Sequence, residues 1–144
     1  MTHYEIPKEP SPGVKAVLHY LDQLRVLNLH EIEKLFTDDF VHSARPLSLG
    51  IPSRNKQENL AFLQGLADQL GGRPVEMAEQ AGQITIYDII ESPGKAWAHI
   101  LMHNEPQEGK PFDVECIYQF IFAEDLRFKA LTNFVDSTAL ASRG

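Results

Sequence analysis

Apolar residues recur at helical spacing through the first half of the chain and predict three helices. The first begins at a Ser11–Pro12 start signal and runs to about Asn28. A short second helix follows, with Ile32 and Phe36 on one face. An Asn55–Glu58 capping box opens the third helix. The apolar stripe of the first helix consists of Val14, Val17, Leu18, Leu21 and Leu24.

Three segments around these helices read differently. Residues 1–13 contain three prolines and predict an extended arm. Phe40–His42 reads as a short extended piece before Pro46, and Gly71–Gly72 ends the third helix.

The second half of the chain is rich in β-branched and aromatic residues, which are typical of strands. Short connections separate four such segments, so we expect neighbours in an antiparallel meander. A fifth strand is expected within 75–83, ending at Gly82. Helices followed by a sheet indicate an α+β fold with the helices on one face of a bent sheet. The four strands are Ile84–Glu91, Ala96–Asn104, Phe112–Ala123 and Phe128–Ser137.

The connections predict the register, and the register decides which side chains share a face. Directly opposed residues of an antiparallel pair lie on the same face. Turns are placed at Pro93–Gly94 and Glu124–Asp125, with an even register across the looser Glu105–Pro111 connection. The predicted pairs are Glu91–Ala96, Ile90–Trp97, Asp88–His99, Ile86–Leu101, Phe112–His103, Val114–Leu101, Cys116–His99, Cys116–Asn133, Tyr118–Leu131 and Val114–Val135.

The face assigned to the interior is apolar except for one polar row: Asp88, His99, Cys116 and Asn133, with His103 one step along. Buried polar groups need partners, so such a row indicates a mutual network or a ligand site. The apolar residues of this face form either the walls of a substrate site or an ordinary core, and Tyr20 of the first helix has the same two interpretations. These residues are Ile86, Ile90, Trp97, Leu101, Phe112, Val114, Tyr118, Leu131 and Val135.

Composition narrows the class of protein. The 144 residues fit one domain, assigned to 14–140, with 43% apolar and 23% charged residues. A net charge of −7 argues against nucleic acid and anionic membranes as partners. The single cysteine excludes an internal disulfide and a cysteine-based zinc cage. The N-terminus lacks the pattern of a secretory signal, so a cytoplasmic location is expected. No glycine-rich phosphate loop is present, and no cofactor is expected.

Three motifs carry a family resemblance: Phe40–Gly50 followed by Pro52, Gly109–Glu115 and Asn133–Ser137. With the order of elements, they resemble the fungal-type branch of SnoaL-like polyketide cyclases in the nuclear transport factor 2-like superfamily. The likeness covers about residues 14–140. It implies a cone-shaped barrel in which three N-terminal helices pack on the concave face of a strongly curved, mostly antiparallel sheet. It also implies acid/base residues on that face and a homodimer through the convex face.

The resemblance also shows a departure from one mechanism. In the epoxide hydrolases of this superfamily, an Arg and an Asp on one strand work with an Asp on the last strand. By alignment those positions are His99, Leu101 and Asn133 here, so the charged set is absent. The water-holding pair of those enzymes aligns near His42 and Ala44, and neither residue matches.

Asp88 and His99 form the sharpest candidate pair. A carboxylate opposite a histidine fixes the ring tautomer and raises its basicity, which suits a general base. A satisfied core hydrogen bond is the alternative. Asn133, with His42 or His103, is predicted to hold a carbonyl, hydroxyl or epoxide oxygen, although each histidine also fits a packed core position.

Two further kinds of site, a thiolate pair and a metal site, are suggested by the same residues. Cys116 beside His99 suggests a thiolate pair, but a buried cysteine is usually an inert small hydrophobe. Three histidines, His42, His99 and His103, suggest a metal site. However, the last two lie about 13 Å apart along a strand, too far to share a zinc ion, so no metal is expected.

The combined expectation is a cofactor-independent acid/base enzyme of secondary metabolism. Its substrate would be a hydrophobic oxygenated polyketide or terpenoid intermediate, converted by cyclisation or isomerisation, with dehydration or epoxide opening as alternatives. The missing last-strand carboxylate favours a non-catalytic ligand-binding protein, and the apolar outer face favours an interaction module. The outer-face residues expected to form a homodimer interface are Tyr87, Ile89, Ile100, Met102, Ile117, Ile121 and Phe134.

Overall fold

The computed structural model describes residues 4–69, 82–104 and 110–136. Three helices and one sheet make up these ranges, so the predicted α+β class is confirmed. The strand expected within 75–83 lies outside the described residues, except that 82 and 83 belong to the next strand. The helices are α1 (Pro12–Arg25), α2 (Leu29–Lys34) and α3 (Lys56–Gln69).

The helix ends are decided by local capping. Ser11 caps α1 as predicted, its side chain accepting from the Val14 N–H at 3.1 Å. The helix stops at Arg25 rather than near Asn28, because Leu27 adopts a positive φ of 53° and Asn28 instead caps α2. The capping box of α3 is present in both directions: Glu58 N–H donates to Asn55 Oδ1, and Asn55 N–H donates to Glu58 Oε1.

Phe36 was assigned to the second helix, and that assignment is wrong. It begins β1 (Phe36–Arg45), which is much longer than the extended piece predicted at Phe40–His42. Phe36 and Phe40 are fully buried, and their rings stack with centroids 3.8 Å apart. Alternate buried positions along β1 show that one of its faces belongs to the core.

The sheet has six strands, and after β1 they are β2 (Arg54–Asn55), β3 (Gly82–Ser92), β4 (Lys95–Asn104), β5 (Phe112–Phe122) and β6 (Phe128–Val135). Their order across the sheet is β2-β1-β6-β5-β4-β3. The β1–β6 pair is parallel and the other four pairings are antiparallel, so the predicted meander and the mostly antiparallel sheet are confirmed. Within the described ranges the sheet is open, with β2 and β3 at its edges, and the cone shape stays a prediction.

The face covered by the helices differs from the predicted one on β4. Ala96, Ala98 and Ile100 are fully buried and belong to the core that α1 joins. Their alternates on β4, including Trp97 and Leu101, face the outer side, so the inward placement of these two residues is wrong. Small side chains let α1 lie close to the sheet, whereas Trp97 would hold it away.

The error comes from the β4–β5 register, which differs from the predicted one by one residue. His99 opposes Ile117 rather than Cys116, and Cys116 opposes Ile100. A one-residue shift moves every side chain of a strand to the other face. All three predicted pairs across the Glu105–Pro111 connection are therefore wrong.

The β3–β4 hairpin is correct near its turn and wrong beyond a bulge. Gly94 has a φ of 76°, which suits the two-residue turn. Asp88 opposes His99 and Ile90 opposes Trp97, as predicted. A register shift at Tyr87 then makes Ile86 oppose Ile100 instead of Leu101.

This bulge leaves Ile86 inside and turns Ile90 outward. Ile90 is 60% exposed, so its predicted inward placement is wrong. Ile86 packs against the core.

The β5–β6 register is shifted by two residues from the predicted one. Cys116 opposes Val135, and Tyr118 opposes Asn133. Because the shift is even, Cys116, Tyr118, Asn133 and Val135 all keep their predicted inner face.

The outer face retains part of its predicted apolar character. Ile117 and Phe134 are exposed by 42% and 46%, but Ile89, Ile100 and Met102 belong to the core side and were wrongly assigned outward. The homodimer through this face stays a prediction. No helix in the described ranges has the length and apolar character needed to cross a bilayer.

Replacing Asn55 tests how the start of helix α3 is stabilised. Asn55→Ala removes an acceptor for the Glu58 N–H, and we expect the free energy of unfolding to fall by about 1 kcal/mol. Urea denaturation measures this change. Asn55→Ser, which keeps a capping oxygen, is the matched control and should lose much less; equal losses in both variants would contradict the capping role.

Candidate functional site

A cavity of about 410 Å³ lies between α1, α3 and the inner face of the sheet. This volume is within the range of small-molecule sites in proteins, and the walls are mostly apolar, as such sites usually are. The apolar walls include Leu24, Ala44, Phe62, Leu63, Met102, Phe112, Val114 and Val135.

Eight of the residues predicted for the site line this cavity. His42, His103 and Asn133 come from the predicted catalytic set. Three other residues predicted for the inner face and the substrate site, Ile86, Cys116 and Leu131, do face inward but belong to the packed core rather than to the cavity wall. The predicted wall residues that do line the cavity are Tyr20, Phe112, Val114, Tyr118 and Val135.

Asp88 and His99 are opposed in register but do not form the predicted inner pair. The His99 ring lies on the outer face, with Nε2 2.6 Å from Glu115 Oε2, and it packs against Tyr87. Asp88 is exposed. The placement of this pair inside the cavity is therefore wrong, and a proton transfer by His99 to a ligand in the cavity is not supported.

His103 lies where β4 reaches the cavity rim. Its Nδ1 is 2.6 Å from Asp113 Oδ1 on the neighbouring strand, and the two side chains are about one-third and one-half exposed. The ring is thus held at the rim by a carboxylate that does not line the cavity.

Arg54 is the central polar residue of the cavity, and it was missed by the sequence analysis. The β1–β2 register places Arg54 directly opposite His42. Its Nη2 lies 3.2 Å from His42 Nδ1, and its Nε–H donates to Asn59 Oδ1 at 3.2 Å. The guanidinium also stacks over the Phe62 ring, with Cζ 4.0 Å from the centroid.

The start of α3 supplies the support for this side chain. Asn59 and Phe62 are three residues apart and therefore share a helix face. Asn59 is buried, at 2% exposure. A sequence signal existed, because the Asn55–Glu58 box fixes the helix start and thereby places Asn59 and Phe62 just beyond Arg54.

The arrangement fixes the state of His42. Burial, and then the charge of Arg54, lower the pKa of His42 to about 4, so the ring is neutral near pH 7. An Arg N–H donates to Nδ1, which makes Nδ1 the acceptor and assigns the ring proton to Nε2. Nε2–H has no partner among the described residues and is available as a donor.

Two buried phenols face the same cavity. Tyr20 and Tyr118 have ring centroids 6.3 Å apart in an edge-to-face arrangement. Burial raises the pKa of both phenols well above its usual value, and the charge of Arg54 only partly opposes this. Both groups therefore remain protonated and can donate a hydrogen bond.

Asn133 carries an unsatisfied polar atom. Its Oδ1 is buried and has no hydrogen-bond partner among the described residues. Asn133 lies opposite Tyr118 on β5 and beside Ala44 on β1, so the amide is on the cavity wall. A buried acceptor without a partner is uncommon in folded proteins, and a rotation of the amide would bring it into contact with a water or ligand group in the cavity.

Cys116 takes no part in this polar cluster. Burial, and then the charge of Glu115, raise the pKa of its thiol to about 12. The thiol therefore stays protonated, which favours the small-hydrophobe interpretation over a thiolate pair with His99.

The chemistry of the cavity follows from what lines it. It combines a guanidinium, a neutral imidazole, two phenols and an amide with the His103 imidazole at the rim, and no Asp or Glu of the described ranges lines it. The first five groups polarise an oxygen atom by donating to it, and His103 is the carboxylate-paired imidazole of the described lining. Within the described ranges, no cluster of three His, Cys, Asp or Glu side chains is close enough to bind one metal ion.

Solved structures share this fold at low sequence identity. AusH from Aspergillus nidulans is 22% identical, with a TM-score of 0.72, and the match covers 90% of this chain and 88% of that chain. BvnE pinacolase from Penicillium brevicompactum is 16% identical with a TM-score of 0.77, covering 91% and 90%. A protein from Shewanella putrefaciens CN-32 assigned as a SnoaL-like polyketide cyclase is 9% identical with a TM-score of 0.75, covering 99% and 96%.

No protein-family model and no curated protein sequence matches this chain. The solved structures confirm, at the level of the fold, the resemblance to SnoaL-like proteins that the motifs predicted.

The state of His42 predicts a dependence of stability on pH. The unfolded chain takes up a proton at His42 near pH 6.5, whereas the folded chain does so only near pH 4. Stability is therefore lost as pH falls through this window, by on the order of 2–3 kcal/mol.

Urea unfolding of wild type and His42→Gln across this window measures the contribution, because Gln does not titrate. The variant should lose this part of the pH dependence. His19→Gln, which removes an exposed histidine of α1, is the control. An unchanged pH dependence in His42→Gln would contradict a buried neutral imidazole.

Proposed function

We propose that this chain is a cofactor-independent enzyme of secondary metabolism that converts a hydrophobic, oxygenated small molecule in the cavity. The observation that carries the proposal is a pair of unpartnered polar atoms on two residues that line a mostly apolar cavity. Nε2 of His42 and Oδ1 of Asn133 have no hydrogen-bond partner among the described residues. A ligand with oxygen functions on an apolar skeleton complements both parts of this lining.

His42 polarises the reacting oxygen. Its Nε2–H donates to a carbonyl, hydroxyl or epoxide oxygen, and the ring that donates is the neutral imidazole. Arg54 is a positioning residue in this step, since its hydrogen bond to Nδ1 fixes the tautomer that donates. The positive charge behind the ring strengthens the donor as negative charge develops on the substrate oxygen.

Asn133 orients the substrate or a water molecule. Its Oδ1 accepts from a substrate hydroxyl or from a water, and its amide N–H groups are donors. Tyr20 of α1 and Tyr118 of β5 also line the cavity and supply two hydroxyl groups. Polarisation of an oxygen by several fixed donors suits cyclisation or isomerisation, in which a carbon–oxygen dipole grows in the transition state.

The solved structures with this fold support the proposal by their own assignments. One is a pinacolase and another is assigned as a SnoaL-like polyketide cyclase. Because identity is low, the fold is what is shared, and the reaction is argued from the residues in the cavity.

A ligand-binding protein without turnover is the second candidate. Two observations favour it: no carboxylate of the described ranges lines the cavity, and His42 is too weakly basic to accept a proton readily near pH 7. The two candidates share the binding cavity and differ only in whether the bound molecule changes.

Asn133→Leu separates stability from function. Removing a buried acceptor without a partner should raise the free energy of unfolding by about 1 kcal/mol. The same change should lower turnover by about 100-fold, because the substrate or water loses its orienting group. Thr132→Val, on the outer face of the same strand, is the matched control and should leave turnover unchanged.

Turnover is measured on two probes, solvent-deuterium exchange of 2-tetralone and ring opening of styrene oxide, both followed by NMR. Acceleration of either reaction that falls in Asn133→Leu and His42→Phe supports the enzyme. Binding of both probes in the cavity without conversion contradicts it and favours the second candidate. A stability loss in Asn133→Leu would contradict the assignment of Oδ1 as an unsatisfied atom.

A further inference from the structure

The geometry points to a substrate class: the cavity selects hydrophobic ligands that carry a carboxylate, and Arg54 binds that carboxylate. This inference rests on the proposed function, because it concerns the same cavity. It goes beyond the proposal by assigning a charge to the ligand and a second role to a residue that otherwise positions His42.

The hydrogen bonds of Arg54 leave part of its guanidinium unused. The group has five N–H donors. One, on Nε, is taken by Asn59, and one, on Nη2, by His42. Neither Nη1 donor and only one Nη2 donor has a partner among the described residues. The free donors on Nη1 and Nη2 form the fork that matches the two oxygens of a carboxylate.

The charge of Arg54 is not neutralised by a carboxylate in the cavity. Both of its partners, Asn59 and His42, are neutral, and it forms no salt bridge with a carboxylate of the described ranges. Glu58 is the acidic group that acts on Arg54 electrostatically, but it is exposed and its Oε1 accepts from the Asn55 N–H. Half-buried cations are usually paired, so this one lacks an anion.

The other described residues that line the cavity contribute no competing negative charge. Arg25 is the other lining arginine, and it pairs with Asp22 on its own helix at 3.1 Å. The rim carboxylate of Asp113 is held by His103. The chain carries a net charge of −7, yet the cavity lining holds a cation and no described carboxylate. This separation favours an anionic ligand over its neutral analogue inside the cavity.

The lining also selects the remainder of the ligand. Phe62 covers one face of the guanidinium, and Leu63, Met102 and Val114 continue the apolar wall. An apolar skeleton on these walls with one carboxylate at Arg54 satisfies both kinds of contact, whereas a small inorganic anion would leave the walls unfilled.

The test compares naphthalene-2-carboxylate with naphthalene-2-carboxamide, which have the same skeleton but differ in charge. Isothermal titration calorimetry measures both affinities. We expect the wild-type protein to bind the acid at least about tenfold more tightly, as a charged hydrogen-bonded pair provides. Arg54→Met keeps an apolar stem against Phe62 and should remove this preference, with amide affinity changed less than about twofold.

Two further variants frame the result. Arg54→Lys keeps the charge but loses the fork, so its preference for the acid should be intermediate. Lys129→Met removes an exposed cation of β6 and is the matched control for a general change in charge. The NMR signal of the Met102 methyl group, assigned with Met102→Leu, should shift with either probe and thereby place it in the cavity.

Three outcomes overturn the inference: equal affinity for acid and amide in the wild type, no binding of the acid, or a preference that persists in Arg54→Met. If Arg54→Met does not fold, the wild-type comparison and Arg54→Lys decide. The proposed function fails separately, by absence of conversion. If the protein converts its probes but binds acid and amide equally, the proposed function stands and the carboxylate inference fails. If it prefers the acid but converts no probe, the carboxylate inference stands and the proposed enzymatic function fails.

Discussion

The packing of α1 against small residues of β4 determines which face of the sheet becomes the interior. Ala96 and Ala98 are fully buried in the core that α1 completes. Because side chains alternate along a strand, this contact places Ile100 inside and sends Trp97 and His99 outward. Hydrogen-bonded register then carries the choice to β5 and β6, so Tyr118 and Asn133 face the cavity.

The polar cluster around Arg54 forms because the edge strand β2 and the start of helix α3 lie next to each other. The two-residue strand β2 brings Arg54 opposite His42, and the capped start of α3 brings Asn59 and Phe62 to the same guanidinium. A cation held by neutral acceptors keeps its charge available, whereas a carboxylate partner would have neutralised it. The unpartnered Oδ1 of Asn133 costs folded stability, because a buried acceptor without a hydrogen-bond partner is unfavourable.

Much of the fold could be predicted from the sequence, and the wrong assignment of the inner face of β4 has a definite physical cause. Helical spacing and the cap at Ser11 placed α1, and short turns gave the order of β3 to β6. The face of β4 could not be obtained in this way, since the sequence reasoning gave the interior to the larger side chains around Trp97. The interior instead holds Ala96 and Ala98, because a helix has to approach there. A one-residue error across the 105–111 connection had the same effect.

The sequence predicted the candidate site correctly only for strands whose register error was an even number of residues. Asn133 and Tyr118 kept their face because the β5–β6 error was even, whereas Asp88 and His99 lost theirs. Arg54 was not predicted, because its contact with His42 depends on a strand of two residues. Such a strand is too short to show the alternation of apolar and polar residues that identifies a strand in a sequence.

The distribution of acids bears on what chemistry the cavity performs. The chain contains twenty Asp and Glu residues, and none in the described ranges lines the cavity. Two of them, Glu115 and Asp113, instead bind histidines of β4 at the outer face and the rim. Of these two His–carboxylate pairs, the one at the rim, His103 with Asp113, has its imidazole in the cavity lining. The other polar groups of the described lining donate hydrogen bonds rather than accept protons, which suits the proposed polarisation of a substrate oxygen.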